Sequence, residues 1–208
     1  MKRVAVIHHL DQPFLGHAGP PLRDVELSEH SGTLPALDEL DGIVSFGGIQ
    51  SVLDGGLETE AAWLREAVAA DIPVLGVCLG AQLLAHALGG KVVRRPQRLV
   101  AWVPLVGEWE GYGLHWNEDG FEPPPGAVEL LQRPDGFCEA FRVQRATGIQ
   151  FHPEVDADAL DGWYAEWGEV LEPAGVTEAD ARAADARHLP GQAALAETIF
   201  GEFARSLG

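Results

Sequence analysis

Cys78 stands in the heptapeptide Gly76-Val77-Cys78-Leu79-Gly80-Ala81-Gln82, between an apolar run (residues 72–77) and a helix-forming run (81–88). A cysteine where a buried strand turns into a helix sits in a sharp bend beside the free N–H groups of the helix start, the form of a nucleophile elbow. Gly76 and Gly80 suit such a bend, because the chain must reverse tightly and let a substrate approach the backbone. The helix N-terminus also favours thiolate over thiol. The chemistry on offer is attack of sulfur on an electrophilic carbon.

An isolated cysteine is more often a small core hydrophobe than a nucleophile. A second element, Gly148-Ile149-Gln150-Phe151-His152-Pro153-Glu154-Val155, changes the weighing, because it puts a histidine and a carboxylate just beyond another short strand (147–151). Pro153 ends that strand and fixes the bend, so His152 and Glu154 can point the same way at its exit. Strand ends of a parallel sheet meet on one rim, where ligands bind. Cys78, His152 and Glu154 thus form a Cys-His-Glu set in the order nucleophile, base and orienting acid.

These two motifs, GVCLGAQ and GIQFHPEV, with FGGIQSV upstream, resemble the class I (triad-type) glutamine amidotransferases over nearly the whole chain. In extent the chain looks like a stand-alone domain similar to the glutaminase domain of GMP synthase. The resemblance implies hydrolysis of the γ-carboxamide of L-glutamine through a γ-glutamyl thioester, with no cofactor and no metal. It maps an oxyanion hole onto the N–H groups of Gly48 and Leu79; losing one such donor costs about 3 to 4 kcal/mol of transition-state stabilisation. Gln82, one helical turn beyond Cys78 on the same side, is implied as a substrate-binding residue. His115 aligns with a segment bordering the glutamine pocket, and a lone histidine after a strand is as readily structural. The family passes its ammonia to a synthase or ligase site, which implies a separate partner subunit here. Two alternatives stay open: a γ-glutamyl hydrolase acting on another γ-glutamyl amide, and a catalytically silent regulatory or binding subunit.

Composition bounds the rest. At 208 residues the chain suits one domain, residues 1–208, able to bury about 70% of its unfolded surface. No run approaches the roughly 18 consecutive apolar residues that span a bilayer. Residues 1–7 enter a strand pattern directly, leaving no room for a signal peptide, and two cysteines argue against a disulfide framework; the expectation is a cytoplasmic protein. The formal charge of −18, from 32 acidic against 14 basic residues, disfavours nucleic acid and anionic membranes as partners. Arg94, Arg95 and Arg98 form the one basic concentration and read as a solvated surface. Cys138 reads as a buried core thiol. His8, His9 and Asp11 lack a fourth ligand at sensible spacing for a metal.

Apolar β-rich runs at 3–8, 42–46 and 73–77 alternate with helical patterns at 57–70 and 81–88. That alternation predicts an α/β fold: an open, mostly parallel, flavodoxin-like sheet with helices on both faces. Short strands at 91–93, 99–105, 111–115, 128–131 and 138–143, broken by Pro and Gly, predict a small antiparallel excursion before the return at Thr147. Helical patterns follow at 157–170, 177–188 and 192–206, with Thr177 and Asp180 as a start signal. Two departures from the family stand out. Residues 9–23 lack the periodicity of a first surface helix, leaving a sheet flank for an acidic segment or a second subunit to cover, and Ile49 stands where many relatives have proline.

Overall fold

The structure is a computed structural model describing residues 1–133 and 137–208. Its strands are β1 (Arg3–His9), β2 (Glu26–Ser31), β3 (Gly42–Gly48), β4 (Val74–Val77), β5 (Lys91–Pro104), β6 (Tyr112–Glu122), β7 (Val128–Gln132), β8 (Cys138–Val143) and β9 (Ala146–Ile149). The helices are α1 (Glu58–Ala69), α2 (Leu79–Ala87), α3 (Ala157–Trp167), α4 (Glu178–His188) and α5 (Gln192–Ser206). Strands β2, β1, β3, β4 and β9 run parallel in that spatial order. The sheet continues antiparallel through β8, β6 and β5, with β7 on β8.

The apolar runs give this α/β architecture because their residues alternate between faces. In β1, Val4 and Val6 enter one core and Ala5 and Ile7 the other, the period of a strand buried on both sides. One core is closed by α1 and α2 through Leu64, Val68, Leu79 and Leu83. The other is closed by α5 through Leu195, Ile199, Phe200 and Phe203. In place of a first surface helix the chain makes two short 3-10 turns, Gly16–Ala18 and Pro20–Leu22. Their Ala18 and Leu22 are fully buried in the α5 core. The flank expected to need an acidic segment or a second subunit is therefore covered by the chain's own last helix.

Two further expectations change. The predicted pair of strands at 91–93 and 99–105 is one long strand, β5, irregular in register between Arg94 and Leu99. Pro96, which lacks an N–H, lies in that irregular stretch on an edge strand, where no ladder bond is lost. The predicted 111–115 strand runs on to Glu122, and α3 stops at Trp167, followed by a 3-10 turn at Gly168–Val170.

The β4–α2 junction leaves no space for side chains. A Cβ on Gly80 would overlap the backbone carbonyl of Ser45 in β3, and one on Gly76 would come within 2.6 Å of the Gly80 carbonyl oxygen. Gly80→Ala is expected to destabilise the fold by about 1–3 kcal/mol or more, through overpacking against backbone that cannot yield. Gly162, exposed inside α3 with nothing within 4 Å of its missing Cβ, is the internal control: Gly162→Ala should gain about 0.5–1 kcal/mol. Thermal unfolding of the two variants checks the opposite signs.

Candidate active site

The order of the parallel strands reverses between β1 and β3: from β1 the chain passes to β2 on one side and then to β3 on the other. Such a switch point opens a crevice at the carboxyl ends of the strands. A cavity of about 410 Å³ lies there, lined by the exits of β1 (His8, His9), β3 (Phe46, Gly47, Gly48) and β4 (Cys78), with His152 and Glu154.

Cys78 is the N-cap of α2 and holds φ 52° and ψ −106°. A non-glycine residue there costs roughly 1–3 kcal/mol, sustained only by what surrounds it. What holds it is specific: the Cys78 N–H donates to the Ile149 carbonyl (2.8 Å) and its own carbonyl accepts from the Gln82 N–H (3.0 Å). Leu79 is the first helical residue, so its N–H has no carbonyl of a preceding turn to meet. Leu79 and Gly48 both line the cavity with Cys78.

His152 is buried, and its Nδ1 lies 2.7 Å from Glu154 Oε1. Its backbone is held on both sides, the N–H donating to the Leu114 carbonyl (2.9 Å) and the carbonyl accepting from Gln192 Nε2 (2.9 Å). Burial alone would lower the imidazole pKa, but the Glu154 charge, the Cys78 sulfur as anion and hydrogen-bond partner, and the Glu154 hydrogen bond outweigh it and push it up to about 10. The three sequence-predicted residues Cys78, His152 and Glu154 are thus brought to one cavity. With Nδ1 on the carboxylate, Nε2 is free to serve the sulfur side.

The β3 exit loop is clamped by residues that no motif in the sequence marks. His9 Nδ1 donates to the Phe46 carbonyl (3.0 Å), and its Nε2 meets Glu60 Oε2 (2.9 Å). Glu60 Oε1 in turn accepts from Ser45 (3.0 Å). The loop also fits only glycine: a Cβ on Gly47 would come within 2.9 Å of His152 Cε1, and one on Gly48 within 2.5 Å of Gln50 Oε1. Ile49, in the family's proline position, is exposed. His8 is paired separately with Glu29 at 2.9 Å. Among the described residues no group of three or more His, Cys, Asp or Glu is disposed to hold a metal.

Gln82 lines the cavity, and its Nε2 donates to the Asp119 carbonyl (3.1 Å) and to Gln150 Oε1 (3.3 Å). Gln150, not singled out from the sequence, donates to the Cys78 sulfur at 3.7 Å. His115 departs from expectation. It is wholly buried, absent from the cavity lining, and engaged by Glu139 Oε2 (2.9 Å) and Asn117 (3.1 Å); burial lowers its pKa against the pull of Glu139. It supports the floor of the sheet instead of bordering the ligand. The arginine cluster also differs from a solvated surface. Arg94 reaches Asp119 at 2.5 Å, Arg98 reaches Glu118 at 2.7 Å, and both line the cavity. Arg95 is buried, with its guanidinium over the Phe137 ring. Cys138, as expected, is a core thiol: burial, with Glu129 and Glu139 nearby, pushes it up to about 12.

With this geometry in place, the comparisons with known proteins assign the class. The sequence profile of the family described as Glutamine amidotransferase class-I matches residues 22–166, and the chain belongs to that family. A solved glutamine amidotransferase from Methylobacillus flagellatus superposes with a TM-score of 0.89 at 28% identity, covering 100% of this chain and 96% of that one. The glutamine-hydrolysing GMP synthase of Methanococcus maripaludis is made in separate subunits, and one of them is 28% identical over 78% of this chain and 86% of its own length. GMP synthase of Pyrobaculum aerophilum is 34% identical over 57% of this chain, a match spanning 25% of that longer protein. The chain thus spans about a quarter of the length of such curated relatives. Among the described residues no helix is long and apolar enough to cross a membrane.

Removing the Glu154 charge leaves burial acting on His152 with less to oppose it, so the ring in Glu154→Gln should lose its proton at lower pH than in the wild type. Imidazole resonances followed by NMR between pH 6 and 11 should place the wild-type transition near 10 and the variant's well below it. Coincident titrations would overturn the ion-pair reading.

Proposed function

We propose that this protein hydrolyses the γ-carboxamide of L-glutamine, with Cys78 as nucleophile, His152 as general acid and base, and Glu154 as the group orienting the imidazole. The observation that carries this reading is the buried His152, paired with Glu154 at 2.7 Å and partnered on its other side by the sulfur of Cys78. The family membership supports the reaction class.

The sulfur of Cys78, as thiolate, forms a bond to the amide carbon, and the carbonyl π pair moves onto oxygen. The N–H groups of Gly48 and Leu79 meet that oxyanion. As the C–N bond breaks, His152 passes its proton to the departing nitrogen and ammonia leaves a γ-glutamyl thioester. His152, now neutral, takes a proton from water as the water oxygen attacks the thioester; glutamate departs, and thiolate and imidazolium are restored. A positioned acid-base of this kind contributes about 10²- to 10⁴-fold. Gln82 engages two N–H donors internally and meets the substrate head through its carbonyl oxygen. Placing His115 outside the cavity removes it from this list.

The Methanococcus relatives are each named as one subunit of a GMP synthase, which supports a reading in which ammonia is delivered to a separate synthase subunit. The two free cysteines suit the reducing cytoplasm, as such a thiolate requires.

Three measurements test the reading. A glutamine-like diazo-ketone should add one equivalent, mapped by peptide mass to Cys78; labelling of Cys138, or turnover surviving Cys78→Ala, contradicts it. His152→Ala should lose about 10²- to 10⁴-fold in kcat, whereas Glu154→Gln, still able to accept a hydrogen bond from the ring, should retain more; equal losses in folded proteins would mean that the carboxylate charge is as necessary as the base. Glutamine hydrolysis by the isolated chain should be slow and rise when the synthase subunit is added. Full turnover in isolation would point to a hydrolase that works alone.

A further inference from the structure

The cavity has two ends of opposite character, with Cys78 and His152 between them. At one end the polar groups are tied together around Asp119. Ser51 donates to its carboxylate (2.5 Å), Arg94 pairs with it (2.5 Å), and Gln82 donates to its backbone carbonyl (3.1 Å). At the other end the wall is aromatic. Trp163 stands edge-on to the His152 ring, centroids 4.9 Å apart at 82°, and in turn meets Phe14, Trp116 and Trp167 at 6.2, 5.7 and 5.8 Å. All four aromatic residues line the cavity.

The wall is fixed before any ligand arrives. Trp163 and Trp167 belong to α3, whose Tyr164 hydroxyl donates to Asp185 of α4 (2.6 Å). Asp185 also accepts from Trp102 of β5 (2.8 Å), and the Arg182 guanidinium lies over the Tyr164 ring. The volume, about 410 Å³, falls in the range of about 300–1,000 Å³ that holds drug-sized ligands.

The proposed hydrolysis, on which this inference rests, assigns the ends. The acyl half is bonded to Cys78, and the leaving nitrogen must sit at His152, which gives it a proton. A substituent on that nitrogen then extends along the side of His152 that Trp163 walls. Ammonia puts nothing there. We propose that the aromatic end is a leaving-group subsite and that this protein cleaves γ-glutamyl amides of primary amines bearing an aromatic ring, the polar end holding the amino-acid head. The step balances as for glutamine: the C–N bond breaks as the thioester forms, the amine leaves with the His152 proton, and water completes hydrolysis to glutamate.

The experiment compares kcat/KM for L-glutamine, γ-glutamyl methylamide and γ-glutamyl benzylamide. Benzylamide should exceed methylamide by about tenfold or more, the discrimination an apolar pocket gives for groups of this size. Trp167→Ala and Phe14→Ala should each lower the ratio of benzylamide to glutamine by about tenfold, and Trp167→Phe should restore it. A variant that merely folds poorly lowers both rates and leaves the ratio unmoved, which counts against the subsite. Glutamine cleaved without benzylamide, or a ratio insensitive to the ring substitutions, overturns the inference and leaves the glutaminase reading standing; the wall is then a face for a partner protein. If none of the three amides is cleaved, both readings fall.

Discussion

The contact on which the site depends is the 2.7 Å approach of Glu154 to the Nδ1 of His152, in a place where both side chains are almost wholly buried. Burial by itself drives an imidazole toward neutrality. Here the carboxylate and the sulfur opposite reverse that, so the ring keeps its proton well above its ordinary range. A buried pair of this kind is costly to form and more costly to break from one side, which explains how much backbone is committed to it. The β9 exit is tied to β6 through Leu114, to α5 through Gln192, and to the loop after β1 through the His17 N–H on the Glu154 carbonyl. Three separate parts of the chain thus converge on two residues.

The same economy governs the β3 exit. The Phe46 carbonyl is held by His9, His9 by Glu60, and Glu60 by Ser45 on the strand that carries the loop. This closed circuit lets two glycines pack against His152 and Leu79 without collapse. The strain at Cys78 is met likewise, by a β9 carbonyl and the first turn of α2. Neither device is a loop in the loose sense: each end of the site rests on a strand of the parallel sheet.

What is legible in the sequence depends on the range of the interaction. Alternating apolar runs announce β1, β3, β4 and α2 because burial on two faces leaves a local period, and Thr177 with Asp180 marks α4 because a cap is a contact three residues long. The GVCLGAQ and GIQFHPEV motifs point to the three site residues because each sits at its own strand exit. Partners far apart in sequence are not readable. Nothing near Arg94 announces Asp119, 25 residues on, and nothing near Tyr164 announces Asp185. His115 and Gln82 look alike as flanking residues; only the direction of β6 decides that one faces Glu139 in the sheet interior and the other faces the cavity. The lack of a first helix shows in the aperiodic residues 9–23, but that α5 covers the gap emerges only from the tertiary fold.

The two cysteines show what separates a reactive thiol from an inert one in this chain. Exposure does not, since Cys78 is 5% and Cys138 1% exposed. Cys138 has a backbone carbonyl as its hydrogen-bond acceptor and two glutamates near by, so every neighbour that carries charge resists a thiolate. Cys78 has the reverse set: the N–H end of α2, the Gln150 amide and an imidazole held in its charged form. Each of these meets negative charge with a proton or a positive dipole. The distinction therefore resides in the sign of the surroundings, and it is set by where β4 ends: one residue earlier and the sulfur would be a core side chain of the sheet, one later and it would be an ordinary residue in the first turn of the helix.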